Sequence, residues 1–271
     1  MPQKAFFDTQ IITMVSDGRI KLSVWTELLR GMKSEFQYCV SFTTLIELLT
    51  ALAGCDEPHF EANRKRLLVL TDVPSCEFLP MPGEFVRDRL LGLPQIRSEF
   101  SPSVLQNEWM PIIKAATNKY ELTQTGVLMD GCCRGIDLTL VKNQSEEGKA
   151  VWVRELELAK NGGKRMPPRN TYAEFILHFD LKADATTENI RKVSEGLDAG
   201  YCHLSHVHHE STKGNYRFDK HPQDWIDNEQ LMYLADPDFT FVTLDRRLIA
   251  KLAKSSQKAR VREFNDFVVN H

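Results

Sequence analysis

The sequence predicts an α/β fold built on one mostly parallel sheet, and three observations predict it. Phe239-Thr240-Phe241-Val242-Thr243 is β-branched or aromatic throughout, the pattern of a strand buried on both faces. Short apolar strands alternate with helical stretches at both ends of the chain, which is how parallel sheets are assembled. The length of 271 residues, with 42% hydrophobic and 26% charged content, is ample for a well-buried core in one large or two small domains.

In order, Lys4-Ala5-Phe6-Phe7 reads as a strand with Asp8 at its carboxyl end and Thr9 beside it. Residues 11–29 read as mostly helical, interrupted near Asp17-Gly18. Gln37-Tyr38-Cys39-Val40-Ser41 is a second strand. It turns into a helix over 42–52 whose core stripe is Leu45, Leu48, Leu49 and Leu52, leaving Glu47 off the stripe near the amino end. Residues 57–70 form an amphipathic helix, and Cys76-Glu77-Phe78-Leu79-Pro80 a third strand.

From Pro82 to Ser211 the pattern turns helical, over roughly 84–92, 102–118, 146–160, 170–181 and 186–210. Residues 81–220 therefore read as a helical insertion or elongated middle section between core segments 1–80 and 221–271. In the last segment Asp227, Leu231 and Leu234 fall at i, i+4 and i+7, so Asp227 heads an apolar helix face. Pro237 stops that helix. The buried strand 239–243 follows, then Asp245, a helix over 246–254 and a closing strand at 259–264.

A net charge of −3 gives no global attraction to nucleic acid, so any such binding needs a local patch. No apolar run approaches a membrane span, and the first residues enter a strand without a signal-like apolar stretch. Six cysteines (39, 55, 76, 132, 133 and 202) make no disulfide framework at this length, so a reducing cytoplasm is expected.

Four carboxylates, Asp8, Glu47, Asp227 and Asp245, fall at the carboxyl end of a strand or the start of an adjoining helix. Open α/β sheets bind ligands at that rim. Side by side the four repel, and desolvation raises their pKa values unless a cation neutralises them. Oxygen-rich sites of this kind suit Mg²⁺ or Mn²⁺. Each acid also has a plain structural explanation. Thr44-x-x-Glu47 fits a capping box, Asp245 an N-cap, Asp8 a turn, and Asp227 a first-turn acid favoured by the helix dipole.

Phe6-Phe7-Asp8-Thr9, Ser41-Phe42-Thr43-Thr44-Leu45-Ile46-Glu47-Leu48, Asp227 with its helix, and Phe241-Val242-Thr243-Leu244-Asp245-Arg246 together resemble the four motifs of PIN-domain nucleases. The closing Val261-Arg262-Glu263-Phe264-Asn265-Asp266-Phe267 resembles the end of that fold. The most specific match is Asp227 with Thr243-x-Asp245, 18 positions on. The likeness covers residues 1–80 and 221–271. The chain departs from compact VapC-like members in the long stretch between Glu47 and Asp227.

The resemblance implies a three-layer α/β/α fold and a Mg²⁺- or Mn²⁺-dependent endoribonuclease that leaves a 5′-phosphate and a 3′-hydroxyl. Asp8, Glu47, Asp227 and Asp245 would be the catalytic and metal-binding acids, supported by Thr9, Thr243 and, less directly, Thr43. The expected substrate is single-stranded RNA or a structured loop, including tRNA. A toxin or antiphage defence role would require an inhibitor or regulatory protein, and a homo-oligomer fits as well. The competing readings are a non-catalytic RNA-binding scaffold and a nuclease acting on DNA. An aspartyl phosphatase would want an acid two positions after Asp8, where Gln10 stands.

Between Arg246 and Arg262 lie seven Lys/Arg and no Asp or Glu. Arg246, Arg247, Lys251 and Lys254 are the candidates to guide a phosphate backbone, against a solvated helix face. Lys160, Lys164, Arg165 and Arg169 form a second basic stretch, an RNA-contacting loop or a solvated linker. Cys202, His203, His206, His208 and His209 form a local cluster with zinc-ligand chemistry but no matching second half, so a polar helix end is the favoured reading. Trp25, Trp109, Trp152 and Trp225 suit a core or interface, with Trp225 close enough to Asp227 to meet substrate.

Overall fold

A computed structural model describes residues 3–32, 35–71, 76–94, 105–129, 132–133, 136–137, 150, 152–158, 160–162, 165–217, 220 and 224–269. The expected HPQ start of the last segment at 221–223 and Lys164 lie outside these residues. So do 102–104, 146–149 and the side chains of Cys132 and Cys133.

Five strands form one all-parallel sheet: β1 (Gln3–Phe7), β2 (Phe36–Val40), β3 (Glu77–Phe78), β7 (Phe239–Thr243) and β8 (Val261–Glu263). The order across the sheet is β3-β2-β1-β7-β8. From β1 the chain steps outward one way to β2 and β3, and from β7 it steps the other way to β8. The order therefore reverses between β1 and β7, the topological switch point at which parallel sheets leave a crevice. Three short strands, β4 (Leu128–Met129), β5 (Cys132–Cys133) and β6 (Ile136–Asp137), make a separate antiparallel sheet.

Side chains alternate across the two faces of the large sheet, as period-two geometry demands. Phe7, Tyr38, Val40 and Val242 enter one core. It is closed by α1 (Thr9–Ser16), α2 (Leu22–Met32), α3 (Phe42–Gly54), α4 (Glu57–Thr71) and the last helix, Phe264–Val269. Phe6, Cys39, Phe239 and Phe241 enter the other. There Phe6 stacks on Phe241 with centroids 4.9 Å apart. The result is a three-layer α/β/α fold, with the central strand β7 buried along its whole length.

The second helical layer comes largely from the middle section. It holds α5 (Pro82–Leu91), α8 (Arg169–Phe179), α9 (Thr187–Gly196) and α10 (Asp198–Thr212). Phe85, Ala173, Leu177, Val193 and Ala199 from these helices share the core with the sheet. Earlier in that section, α6 (Met110–Ala115) and α7 (Lys119–Gln124) place Ile113 and Leu122 in the opposite core. The middle section thus contributes to both helical layers.

Two details shape this layer. The single helix expected over 186–210 breaks at Leu197, whose φ of −103° and ψ of 26° cap α9. At Gly196 the helix lies against Leu90 so closely that a Cβ would come 2.4 Å from Leu90 Cδ1. Asp198 then anchors the start of α10. It accepts Ser255 Oγ at 2.8 Å and the Ser256 amide at 2.6 Å, and Arg169 pairs with it at 2.6 Å.

The closing third follows the predicted pattern with shorter helices. Helix α11 (Asp224–Leu231) passes into a 3₁₀ turn, Met232–Ala235, and α12 spans Arg246–Lys251. Leu231 and Leu234 are fully buried and Asp227 is 9% exposed, so the acid does head the inward face. Tyr233 Oη donates to Pro80 O at 2.7 Å and accepts the Phe42 amide at 3.1 Å. One buried phenol therefore fixes α3, β3 and the 3₁₀ turn together.

Candidate metal centre

The acids are placed by strand ends and helix starts. Asp8 follows β1 and caps α1, accepting the Gln10 amide at 3.1 Å with Oδ1. Asp245 follows β7 and caps α12, accepting the Arg247 and Leu248 amides at 2.7 and 3.2 Å with its own Oδ1. These two flank the switch point. The N-cap expected for Asp245 is present, Asp8 proves to be an N-cap where a turn was the plain explanation, and capping occupies one oxygen of each. Asp8 Oδ2 accepts Thr243 Oγ1 at 2.8 Å, and Thr243 Oγ1 in turn accepts the Asp245 amide at 3.0 Å.

Glu47 comes from the first turns of α3. The cap of that helix is Ser41, whose Oγ accepts the Thr44 amide at 3.1 Å, so Glu47 is not closing a capping box with Thr44. It reaches across to α1 and accepts the Thr9 hydroxyl. Thr9 Oγ1 also lies 3.1 Å from Thr44 Oγ1. The supporting hydroxyl on α3 is thus Thr44, one residue on from the expected Thr43. Thr43 is buried beside the Tyr233 phenol instead, because the helix turn carries it away from the acids.

The four acids act on one another. Burial pushes the Glu47 carboxyl up to about 7, opposed by the Thr9 hydrogen bond and reinforced by Asp8. Burial pushes Asp227 up to about 8, reinforced by Asp8, Asp224 and Asp245 and relieved by Lys251. Asp8 is raised as well, first by burial, with Thr243 and the Gln10 amide opposing and Asp245 adding to it. Asp227 gains no hydrogen bond from any described residue. Among the described residues, ion pairs reach this group at its edges, Arg247 Nε at 3.6 Å from Asp245 Oδ1 and Lys251 on Asp224.

Two more acids belong to the neighbourhood and carried no signal in the sequence pattern. Glu229, two residues after Asp227, is pushed up to about 7 by burial and by Glu47. Asp224, one turn before Asp227, is 5% exposed and accepts Lys251 Nζ at 2.7 Å and Tyr216 Oη at 3.0 Å. Asp224 shares the buried face of α11 with Asp227, while Glu229 stands on another side of that helix, toward Glu47.

The basic candidates divide. Arg246 and Arg247 are exposed, at 77% and 75%, and Lys254 is exposed on the same segment. Lys251, expected on the substrate path, points inward instead: 14% exposed, it is spent on Asp224. Arg169, from the second basic stretch, pairs with Asp198 and lies over the Tyr201 ring at 5.1 Å. A cleft of about 420 Å³ lies at the β8 edge, lined by Arg246, Arg262, Glu263 and Asp266 among others.

No family model, curated protein or solved structure matches this chain.

The remaining cluster is split by its own helix. On α10, His206 and His209 are exposed, while His203 is fully buried. Cys202 turns to Asp198, 3.8 Å away. Trp225 packs on Trp152, centroids 5.9 Å apart, in a small core with Leu156 and Val207. It faces that core and not the acids. Cys39, Cys55, Cys76 and Cys202 are free thiols. Among the described residues no helix is long and apolar enough to cross a membrane.

Proposed function

We propose that this protein is a Mg²⁺- or Mn²⁺-dependent nuclease that cleaves RNA, with Asp8, Glu47, Asp227 and Asp245 as its metal-binding acids. The observation that carries the reading is their convergence. Asp8 and Asp245 follow β1 and β7, on either side of the point where the strand order reverses. Glu47 and Asp227 lie near enough to Asp8 that its charge adds to burial in holding both toward their neutral forms. Such a group is costly to assemble in a folded protein unless a cation is shared among the acids. The motif resemblance to PIN-domain nucleases adds to it.

The donor set fits a hard, hydrated ion. Among the described residues no three of these four acids bring ligand oxygens within 4.8 Å of one another. Mg²⁺ commonly keeps several waters and takes only one or two carboxylates directly. Held there, the ion would supply Lewis-acid polarisation of a phosphate and activation of water. The chain's own residues do the rest. Thr243 fixes Asp8, Thr9 fixes Glu47, and the Arg247 and Leu248 amides fix Asp245. Arg246 and Arg247 stand exposed beside Asp245 to meet phosphate oxygens.

The test is cleavage of labelled single-stranded RNA, tRNA and single-stranded DNA by purified protein, with Mn²⁺ or EDTA, beside Asp8→Asn. RNA cleavage that needs the ion and vanishes in the variant is the expected result. Cleavage of DNA alone would change the substrate class. No metal-dependent cleavage of any of the three would overturn the proposal.

A further inference from the structure

A second group of ligands meets at Asp227. One ligand atom from each of His203, Asp224 and Asp227 lies within 4.8 Å of the others, and all three residues are buried. Two are adjacent turns of α11 and the third comes from α10, which packs against it.

The decisive residue is His203. It is 0% exposed, and its ring meets no hydrogen-bonding side chain other than Asn228 among the described residues. One Asn228 contact satisfies at most one ring nitrogen, and a second buried polar atom without a partner is costly. A neutral imidazole that gives one ring N–H to a neighbour keeps the other nitrogen's lone pair for a metal ion. The neighbour is Asn228, whose side chain meets the ring with a buried Oδ1. A carbonyl oxygen beside a ligating imidazole is the usual acceptor for the other ring N–H, fixing its tautomer.

We propose that His203, Asp224 and Asp227 form a nitrogen-containing site for a divalent transition ion such as Zn²⁺ or Mn²⁺, distinct from the oxygen-only rim and joined to it through Asp227. Imidazole selects such ions over Mg²⁺. Lys251 and Tyr216 do not fill the site. Each holds a different oxygen of Asp224, and a carboxylate oxygen has a second lone pair to offer. The site does not rest on the nuclease reading, since it requires no cleavage.

Imidazole nitrogens of the ¹⁵N-histidine-labelled full chain, followed by NMR during a Zn²⁺ titration, test it residue by residue. His203→Gln assigns the resonance. The expected result is that the His203 nitrogens move on addition of Zn²⁺, in wild type and in Asp8→Asn alike, and that His203→Gln weakens the tightest Zn²⁺ site at least about tenfold. Should His203→Gln fail to fold, the His203 signal in Asn228→Ala and Asp224→Asn titrations supplies the assignment by its displacement. Zn²⁺ that shifts only the exposed His206 and His209, with His203 unmoved, overturns the proposal. Loss of RNA cleavage without loss of this binding, or the reverse, separates its fate from that of the nuclease.

Discussion

Thr243 Oγ1 donates to Asp8 Oδ2 at 2.8 Å, joining residues 235 positions apart. The same oxygen accepts the Asp245 amide, so one fully buried hydroxyl sets the positions of two acids on neighbouring strands. Thr243→Val keeps the shape and removes this bond. It is expected to lower kcat for RNA about 10- to 100-fold, in the range seen when a group that orients a metal ligand is lost, with KM little changed. Thr240→Val, on the same strand but without contact to the acids, is expected to keep full activity. Equal activity in both variants would remove Thr243 from the mechanism.

The pH dependence of stability follows from Asp227. Its folded-state value of about 8 lies far above the unfolded 3.8, so the native state prefers the protonated form. Below pH 4 both states are protonated and the full contribution is present. As pH rises toward 8 the unfolded chain ionises first, and stability is lost across that window. The Tm of metal-free wild type, relative to Asp227→Asn, is expected to fall by several degrees between pH 5 and pH 8. Mn²⁺ should restore more of it at pH 8 than at pH 5, because it binds the ionised acids. A flat difference between the two proteins over that range is the contrary result.

Lysine and arginine at this rim are predicted to behave oppositely. Lys251 and Asp224 are 14% and 6% exposed in their side chains, and removing one partner of a buried pair costs about 3–5 kcal/mol. Lys251→Met should therefore lower Tm strongly. Arg246→Ala and Arg247→Ala, both exposed, should leave Tm nearly unchanged while weakening RNA binding. Each should also reduce the slope of log K against log salt by about 1. Fluorescence anisotropy with a non-cleavable RNA at several salt concentrations measures this. Unaltered slopes in both arginine variants would detach the basic helix from substrate.

What the sequence made legible was local. Asp8 and Asp245 stand immediately after apolar strands, and that position alone puts them at a sheet rim. Asp227 was legible from its i, i+4, i+7 relation to Leu231 and Leu234. The strand β7 came out with its predicted bounds because a run of Phe, Thr and Val has no other stable home. Residues whose roles depend on how two helices meet were not legible. No period in Cys202–His209 tells which imidazole turns inward, since α10 has short polar stretches on several sides. Nothing near Lys251 announces that Asp224 will collect it. The neighbouring Thr43 and Thr44 differ by one step of helix rotation, about 100°, and that step decides which hydroxyl meets Thr9.

The same limit applies to the middle section, whose helical pattern reads equally well as a separate body or as a layer of the core. Phe85 decides between them. It is 2% exposed, and its ring meets Tyr233 and Phe239 edge-on at 5.0 and 5.1 Å, so it plugs the middle section into the central sheet. Truncating a buried phenylalanine costs about 3–5 kcal/mol, which at this chain length lowers Tm by on the order of 10 °C. Phe85→Ala is expected to do so in a single cooperative transition that melts the whole chain. Phe179→Ala, at a ring 53% exposed, should shift it little. Two resolved transitions in calorimetry, with only one moved by Phe85→Ala, would mean that the helices fold as a unit of their own and that the sheet's second face is covered by a docked domain.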